Sequence, residues 1–486
     1  MTGSISVIIG RLGRLGAIGT TVLMLAAPLG CGDVSAESLK QALTGAYKNN
    51  PKLDAARATL RATDEEVPRA MSNYRPNVTG GADVGIQRQD TKPPSSSNGE
   101  THPKGFKIDA VQPLFRGFRT VNAVSVAEAT VRSGRETLRA QETTVLQEAV
   151  TAYMDVVRDQ SLVRLRENNV TVLSRELKAT QDRFKVGEVT RTDVAQAESR
   201  RATSVAALDL ARANLKNSRA TYERVVGRPP SNLVEPRVPE SLLPKSVTDA
   251  TGTASQQHPS IVGALYREQA ARIQVDLIWG ELLPTMQLEA NYTKRYEPSK
   301  TTEESETSSL VGRLIVPIYQ GGEVHARVRQ AKHTHVSRLQ EVEQFRTEAT
   351  AAAITAWSNL QALRARLVSD KIAVEASQTA LNGVREEEKV GQRTLLDVLN
   401  AEQELLNAQV QLAIDQHDLV VGAYTLLGAV GKLDSEVLSL NSDTYDPEAH
   451  YFEVRRAWWG LSITHRDGRH EKVDLWESHG RDSRLK

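Results

Sequence analysis

The chain has 486 residues, with 61 basic against 60 acidic side chains and a formal net charge of +1. That balance, with no long basic run, excludes a nucleic-acid binder. Aromatic residues make up only 5%, sparse for a compact enzyme. Ala, Leu, Arg, Gln and Glu dominate the long middle segments, as in extended helices and coiled coils.

Residues 1–36 read as an export signal. Arg11 and Arg14 supply positive charge, Leu15 to Leu29 a short apolar stretch, and Val34-Ser35-Ala36 the small residues for cleavage after Ala36. The stretch is too short and Gly-rich for a membrane-crossing helix. Cys31 is the only cysteine. Pro28-Leu29-Gly30-Cys31 has the outline of a lipoprotein cleavage box, but Pro28 sits where an aliphatic residue is wanted. Cys31 is therefore either a lipid-attachment site or a residue discarded with the signal.

Residues 37–228 form a first unit. A helical segment from Glu37 to Tyr74, interrupted at Asn50-Pro51, leads into a strand pair at 78–90 and 105–115. Val78, Gly80, Ala82, Val84 and Ile86 alternate with more polar neighbours, and Phe106, Ile108 and Ala110 alternate with Lys107 and Asp109. A period of two puts one face in an apolar medium and the other in a polar one. Thr91 to Lys104, rich in Ser, Pro and charge, reads as a solvent loop. A proline-free run then extends from Gly117 to Val186. In it Ala149, Val156, Val163, Val170, Leu177 and Phe184 keep a strict seven-residue repeat. The returning helix carries Val194, Leu208, Leu215 and Tyr222 in sevens, broken by Arg201. Sustained sevens impose left-handed supercoiling against a partner.

Residues 229–246, with five prolines, read as an extended linker. Residues 247–433 form a second unit, with a helix interrupted at His258-Pro259 and a strand pair at 285–293 and 310–318. Met286, Leu288, Ala290 and Tyr292 alternate in the first strand, and Leu310, Gly312, Leu314 and Val316 in the second; Lys294 to Ser309 reads as loop. Ala353, Leu360, Leu367, Val374 and Leu381 continue the heptads, and the return carries Val398, Leu405, Leu412, Leu419 and Leu426. Residues 434–486 are a C-terminal extension with Trp458, Trp459 and Trp476 and with His450, His465, His470 and His479. Its composition does not choose between wrapping the helices, lacking order and binding metal weakly.

The two units are copies of one another. Val186-Gly187-Glu188-Val189-Thr190-Arg191-Thr192-Asp193-Val194-Ala195-Gln196-Ala197-Glu198 recurs 204 residues later, from Val390 to Glu402, with seven of thirteen positions identical. Pro113-Leu114-Phe115-Arg116-Gly117 recurs as Pro317-Ile318-Tyr319-Gln320-Gly321, and Gly227 as Gly431. Further upstream, Asn50-Pro51 pairs with His258-Pro259. The unit is far longer than a solenoid repeat of about 20–50 residues, so it is a duplicated half-protein.

Taken alone, the strand pairs fit either soluble hairpins resting on a core or membrane strands. An export signal without another membrane segment favours lipid on the apolar side. Four strands cannot close a barrel, and an open edge in lipid leaves backbone groups unsatisfied. Several chains must then share one barrel, and a trimer of twelve strands is the symmetric solution.

These features together resemble the TolC-like outer-membrane factors of Gram-negative bacteria. The resemblance covers about residues 38–433. It rests on the duplication, the Asn50-Pro51 opening, the Pro-aromatic-Gly strand-to-helix junctions and the paired Val-Gly-x-x-Thr-x-x-Asp-Val turns. It implies a mainly α fold with membrane β: duplicated long helical hairpins forming an α-barrel in the periplasm, and four strands per chain in a trimeric 12-stranded β-barrel across the outer membrane. The implied function is a passive exit duct for type I protein secretion or small-molecule efflux. It would be shared with a periplasmic adaptor (membrane fusion protein) and an inner-membrane transporter of ABC or RND type.

The paired turns are the candidate site. Gly187 and Gly391 suit tight helix-to-helix turns. Thr190 and Thr394 suit caps of the returning helices, with Asp193 and Asp397 completing a capping box in place of Glu. The resemblance places both turns at the periplasmic tips and makes Val186, Gly187, Thr190, Val390, Gly391 and Thr394 adaptor-docking positions. It also makes Asp397 and Asn400 the pore constriction, with Asn400 where relatives can carry a second carboxylate. Three Asp397 carboxylates about 7 Å apart would repel by roughly 2 kcal/mol per pair and favour protonation or a bound cation. The alternative is that Asp397 serves only its helix N-terminus. Arg393 is implied as a gate restraint with Thr192 and Asp193 as partners. The family's second restraining residue, an aromatic, is Glu388 here.

No catalytic constellation, phosphate loop or metal-spaced Cys/His set is visible, so no enzyme activity, cofactor or metal is expected. His325, His333 and His335 read as surface helical residues. The competing reading is an exported coiled-coil scaffold without channel activity. Where the copies differ, at Arg393 against Val189 and Asn400 against Gln196, the second unit reads as the lining of the entrance and the first as its support.

Overall fold

The computed structural model describes residues 37–93, 98–440 and 445–463. The export signal and Cys31 lie outside the described residues, as do Trp476, His465, His470 and His479. Helices α1 (Leu39–Asn49), α2 (Pro51–Asp64) and α3 (Glu66–Met71) lead to strand β1 (Asn77–Val84). Short strands β2 (Gln87–Gln89) and β3 (Gly99–Thr101) precede β4 (Lys104–Arg116), followed by α4 (Arg119–Lys185) and α5 (Arg191–Val226). The second unit runs α6 (Val247–Gln257), α7 (Pro259–Trp279), β5 (Thr285–Ser299), β6 (Thr302–Ile315), α8 (Glu323–Lys389) and α9 (Leu395–Ala429), and a short α10 (Ala449–Val454) lies in the C-terminal segment. The fold is mainly helical with antiparallel strands. Helices α4 and α8 each hold 67 residues, about 100 Å of helix.

The breaks before prolines are built alike in both units. Asn50 and His258 stay extended because a following proline disfavours the helical region. Each then caps its helix, with the Asn50 side chain accepting from the Lys52 N–H and the His258 ring from the Ser260 N–H.

The strands form one antiparallel sheet in the order β1-β4-β5-β6. Its register aligns the apolar positions into rows. Val78, Ala110, Ala290 and Leu310 stand side by side, as do Gly80, Ile108 and Tyr292, while Met286 faces Leu314. The other face is polar. There Arg313 pairs with Glu289 at 2.6 Å, and Asn291 donates to Asp109 at 2.6 Å.

Strand limits differ from the sequence expectation in four places, one of them β3, which falls within the Thr91 to Lys104 segment expected as loop. The segment Lys294 to Ser309, expected as loop, is strand except for a turn at Lys300 and Thr301. Its polar side chains pair across the hairpin, Lys294 with Glu304 at 2.6 Å and Tyr292 with Glu306 at 3.1 Å. Such cross-strand pairs extend a hairpin without a core beneath it. The strand expected at 310–318 accordingly begins at Thr302 and ends at Ile315. The strand expected at 78–90 is interrupted at Gly85 and Ile86, and β2 pairs only with β3.

Near the sheet, α2, α4, α7 and α8 pack side by side; away from it, α5 packs on α4, α4 on α9 and α9 on α8. The heptad residues Ala149, Val156, Ala353, Leu360, Tyr222 and Leu426 are all fully buried. Burial falls toward the helix tips, where Phe184 is 44% exposed. The core is therefore concentrated at mid-height, around Tyr153, Tyr222, Leu146 and Leu427.

Candidate functional site: the two helical tips

The far ends of the long helices are two turns of the same geometry. Helix α4 stops at Lys185, and Gly187 takes a positive φ of 82°; α8 stops at Lys389, and Gly391 takes 76°. In this left-handed region glycine carries no Cβ penalty. The chain reverses so that the Gly187 N–H donates to the Phe184 carbonyl at 3.1 Å and the Gly391 N–H to the Glu388 carbonyl at 2.9 Å. Thr190 and Thr394 cap the returning helices as expected from sequence. The Thr190 N–H donates to the Asp193 carboxylate at 2.8 Å, and the Asp193 N–H donates back to the Thr190 hydroxyl at 3.3 Å. At the second tip the same bonds measure 3.0 and 3.3 Å. Val186 and Val390 are left 72% and 70% exposed.

Within the protomer, Asp397 is a capping carboxylate. The Thr394 backbone N–H and hydroxyl, with Arg393 nearby, hold its carboxyl below the usual range. The single chain therefore gives Asp397 the helix N-terminal role, and the expected drive toward protonation has no source inside one protomer.

Arg393 does not reach Asp193 in the protomer. Its guanidinium pairs with Glu387 of its own hairpin at 2.9 Å, and Asp193 is engaged by Thr190. Thr192 is exposed on the first return helix. Asn400, expected at the pore constriction, accepts from Arg200 of the other hairpin at 2.9 Å. Glu388, which stands where the family has a restraining aromatic, pairs with Arg183 of the first hairpin at 2.6 Å. The sequence reading missed Arg183 and Arg200. A signal was present: the 204-residue shift places Arg183 opposite Glu387 and Phe184 opposite Glu388, so tip charge differs in sign between the copies.

Above the second tip, Arg385 of α8 pairs with the buried Glu402 of α9 at 2.5 Å. Higher on the same hairpin, Arg366 pairs at 2.8 Å with Asp415, whose side chain is fully buried. Asp370 shares a hydrogen bond with Asp415, and this contact, with burial, pushes its carboxyl up to about 6. Between α4 and α9, His417 lies 3.1 Å from Asp155 and 2.8 Å from Asp418. Burial alone pushes the imidazole down, but the two carboxylates reverse the sign and raise it. Among the described residues no group of three or more His, Cys, Asp or Glu is placed to hold a metal ion.

A duplicated pair of 67-residue helices, capped glycine turns and an antiparallel sheet with apolar rows on one face define a class of outer-membrane channel protein. The chain belongs to the outer membrane efflux protein family, whose model matches residues 42–228 and 251–432. It is 40% identical over 434 residues to the outer membrane efflux protein BepC of Brucella suis, covering 89% of this chain and 93% of that protein. It is 26% identical to the outer membrane protein TolC of Escherichia coli, covering 85% and 86%. The fold superposes on the CmeC outer membrane channel of Campylobacter jejuni with a TM-score of 0.73 at 16% identity, covering 87% and 90%. The protein is an outer-membrane channel with its helical part in the periplasm, and not an enzyme. A soluble coiled-coil scaffold does not account for the apolar row of Val78, Ala110, Ala290 and Leu310 across the sheet, exposed at Val78 and Leu310.

Proposed function

We propose that three copies of this chain form one passive exit duct of a tripartite exporter, closed at its periplasmic tips. The observation that carries the reading is the sheet. Four strands present a lipid-type face, while among the described residues β1 and β6 each have one edge without a strand partner. Backbone groups on an edge in lipid must be paired, and twelve strands from three chains pair β6 of one copy with β1 of the next. The helices α5 and α8, outermost in the lower helical layer, meet the neighbouring copies in the same way.

The name of BepC, an outer membrane efflux protein, favours the efflux branch over type I protein secretion. The exposed Val186 and Val390, with Gly187, Thr190, Gly391 and Thr394, offer the docking surface for a periplasmic adaptor, and an inner-membrane transporter of RND or ABC type supplies the energy. Asp397 and Asn400 ring the constriction. In the closed trimer Arg393 turns from Glu387 to Asp193 or Thr192 of a neighbouring copy, a rotation open to its exposed side chain.

The test is native mass spectrometry of the detergent-extracted protein together with planar-bilayer conductance. Three copies per particle are expected, and Arg393→Ala with Asp397→Ala should conduct several-fold more than the parent. A monomer, or unchanged conductance in the double variant, defeats the trimer or the gate respectively.

A further inference from the structure

The described residues of the C-terminal segment, 434–440 and 445–463, follow a defined course. Leaving α9, Asp434 pairs with Arg139 at 3.1 Å, and the Ser435 N–H donates to Glu142 at 2.5 Å. Tyr445 lies under the Arg57 guanidinium, 5.3 Å from ring centroid to carbon, and its N–H donates to the Tyr47 hydroxyl. Glu448 pairs with Arg135, and His450 with Asp64 at 3.1 Å. Arg455 then pairs with Glu128 at 2.8 Å. The partners run backward along α4, from Glu142 to Glu128, and forward along α2, from Arg57 to Asp64. The segment therefore climbs the helical wall toward the sheet.

It arrives at the base of the sheet. Trp458 stacks on the guanidinium of Arg75, 4.6 Å from the ring centroid, and Arg75 lies two residues before β1. Beyond it Trp459 is 91% exposed, and Leu461 and Ile463 are more than half exposed. Tyr74, Phe118 and Trp279 are exposed at the same strand-to-helix junction. The segment also keeps to one face of the wall. Its partners on α4, Glu128, Arg135, Arg139 and Glu142, point away from Thr130, Gly134, Thr137 and Gln141. Those four line a cleft of about 660 Å³ bounded jointly by α2, α4, α7 and α8 on the opposite face of α4.

We infer that residues 434–440 and 445–463 belong to a strap that delivers Trp458, Trp459, Leu461 and Ile463 to the periplasmic lipid–water interface of the outer membrane. Indole rings favour that boundary, where an apolar body meets lipid and a polar N–H meets water. The apolar rows of the sheet end where the strap arrives, so the lipid surface is continuous with this patch. Arg75 beneath Trp458 adds a cation at headgroup level. The strap rests on the sheet crossing the membrane but not on gating at the tips.

The test uses the full-length protein in a Cys31→Ser background, reconstituted in phosphatidylethanolamine–phosphatidylglycerol vesicles. Single cysteines replacing Trp459, Leu310 on the apolar sheet face and Leu210 on α5 are labelled with bimane. Lipids carrying a shallow doxyl group should quench the label at 459 at least twofold more than at 210, and iodide should show the reverse order. Quenching at 310 but only iodide quenching at 459 overturns the strap and leaves the membrane sheet intact. Protection of 459 from both quenchers, as under another protein surface, also overturns it. No lipid quenching at 310 overturns the strap and the membrane sheet together.

Discussion

Gly227 and Gly431 occupy the same joint in the two copies. Each holds a positive φ, 83° and 75°, at the end of a return helix. A Cβ on Gly227 would meet the Asn49 Cβ at 2.8 Å, and one on Gly431 would meet the His258 Cα at 2.9 Å. The sequence marked both glycines by their repeat shift and marked Asn50-Pro51 and His258-Pro259 by theirs; the structure brings each glycine against the residue at or just before its own Pro break. Strain at such positions costs about 1–3 kcal/mol. Gly227→Ala and Gly431→Ala should each lower the midpoint of thermal unfolding measured by circular dichroism by several degrees, whereas Gly383→Ala, with open space around it, should raise helix stability slightly. The caps at Thr190 and Thr394 were legible for a different reason, because a capping box is wholly local. The repeat shift marked the tip charge of Arg183, but not its pairing, since the partner Glu388 lies 205 residues away.

At the scale of elements, the two hairpins are joined near their tips by Arg183–Glu388 and Arg200–Asn400. The first pair is only partly buried, with side chains 45% and 18% exposed, so its worth is up to about 1 kcal/mol. That still shifts a closed–open equilibrium severalfold. Glu388→Arg should raise single-channel open probability in planar bilayers by a few-fold, and the exchange Arg183→Glu with Glu388→Arg should return it toward the parent; no rescue by the exchange would show that the pair is not the link. The second hairpin carries its own pH-dependent element in Asp370 and Asp415. The folded state holds the Asp370 proton up to about pH 6, against a reference value of 3.8. Folded chain thus binds more proton than unfolded chain between these values, so stability is greatest below about pH 4 and falls as pH rises toward 6. Asp370→Asn removes the charge that costs stability above that window. Its thermal midpoint at pH 7.5 should exceed the parent's, by on the order of 1 kcal/mol in stability after solvent screening, and the difference should vanish near pH 4.

For the whole molecule, one protomer is an incomplete object. Among the described residues its sheet has two unpaired edges, its lower helical layer has two free outer helices, and its buried core sits at mid-height rather than at the ends. The trimer proposed here supplies partners for all of these at once, and the copy-number measurement decides it. Once the sheet is taken as lipid-facing, the exposed Val78, Leu310 and Leu314 become surface matched to its solvent. Arg393 is paired inside its own hairpin in the protomer, so any restraint it exerts on a neighbour belongs to the assembly.

The sequence by itself determined what is periodic or local: the duplication, the heptad faces, the alternating strands, the proline breaks and the glycine–threonine turns. Each depends on spacing within a few residues, and backbone geometry converts that spacing directly into a face or a cap. Tertiary structure decided which residues of different repeats meet. Arg183 and Glu388 meet because of how two long helices are rotated and packed, which no local pattern encodes. Tertiary structure also turned Lys294–Ser309 from apparent loop into strand, because pairing with a hairpin partner outweighs a Ser-, Thr- and Glu-rich composition. And it gave the C-terminal segment its path. Single anchors along two helices hold that segment, and scattered side-chain contacts of this kind leave no period in the chain that makes them.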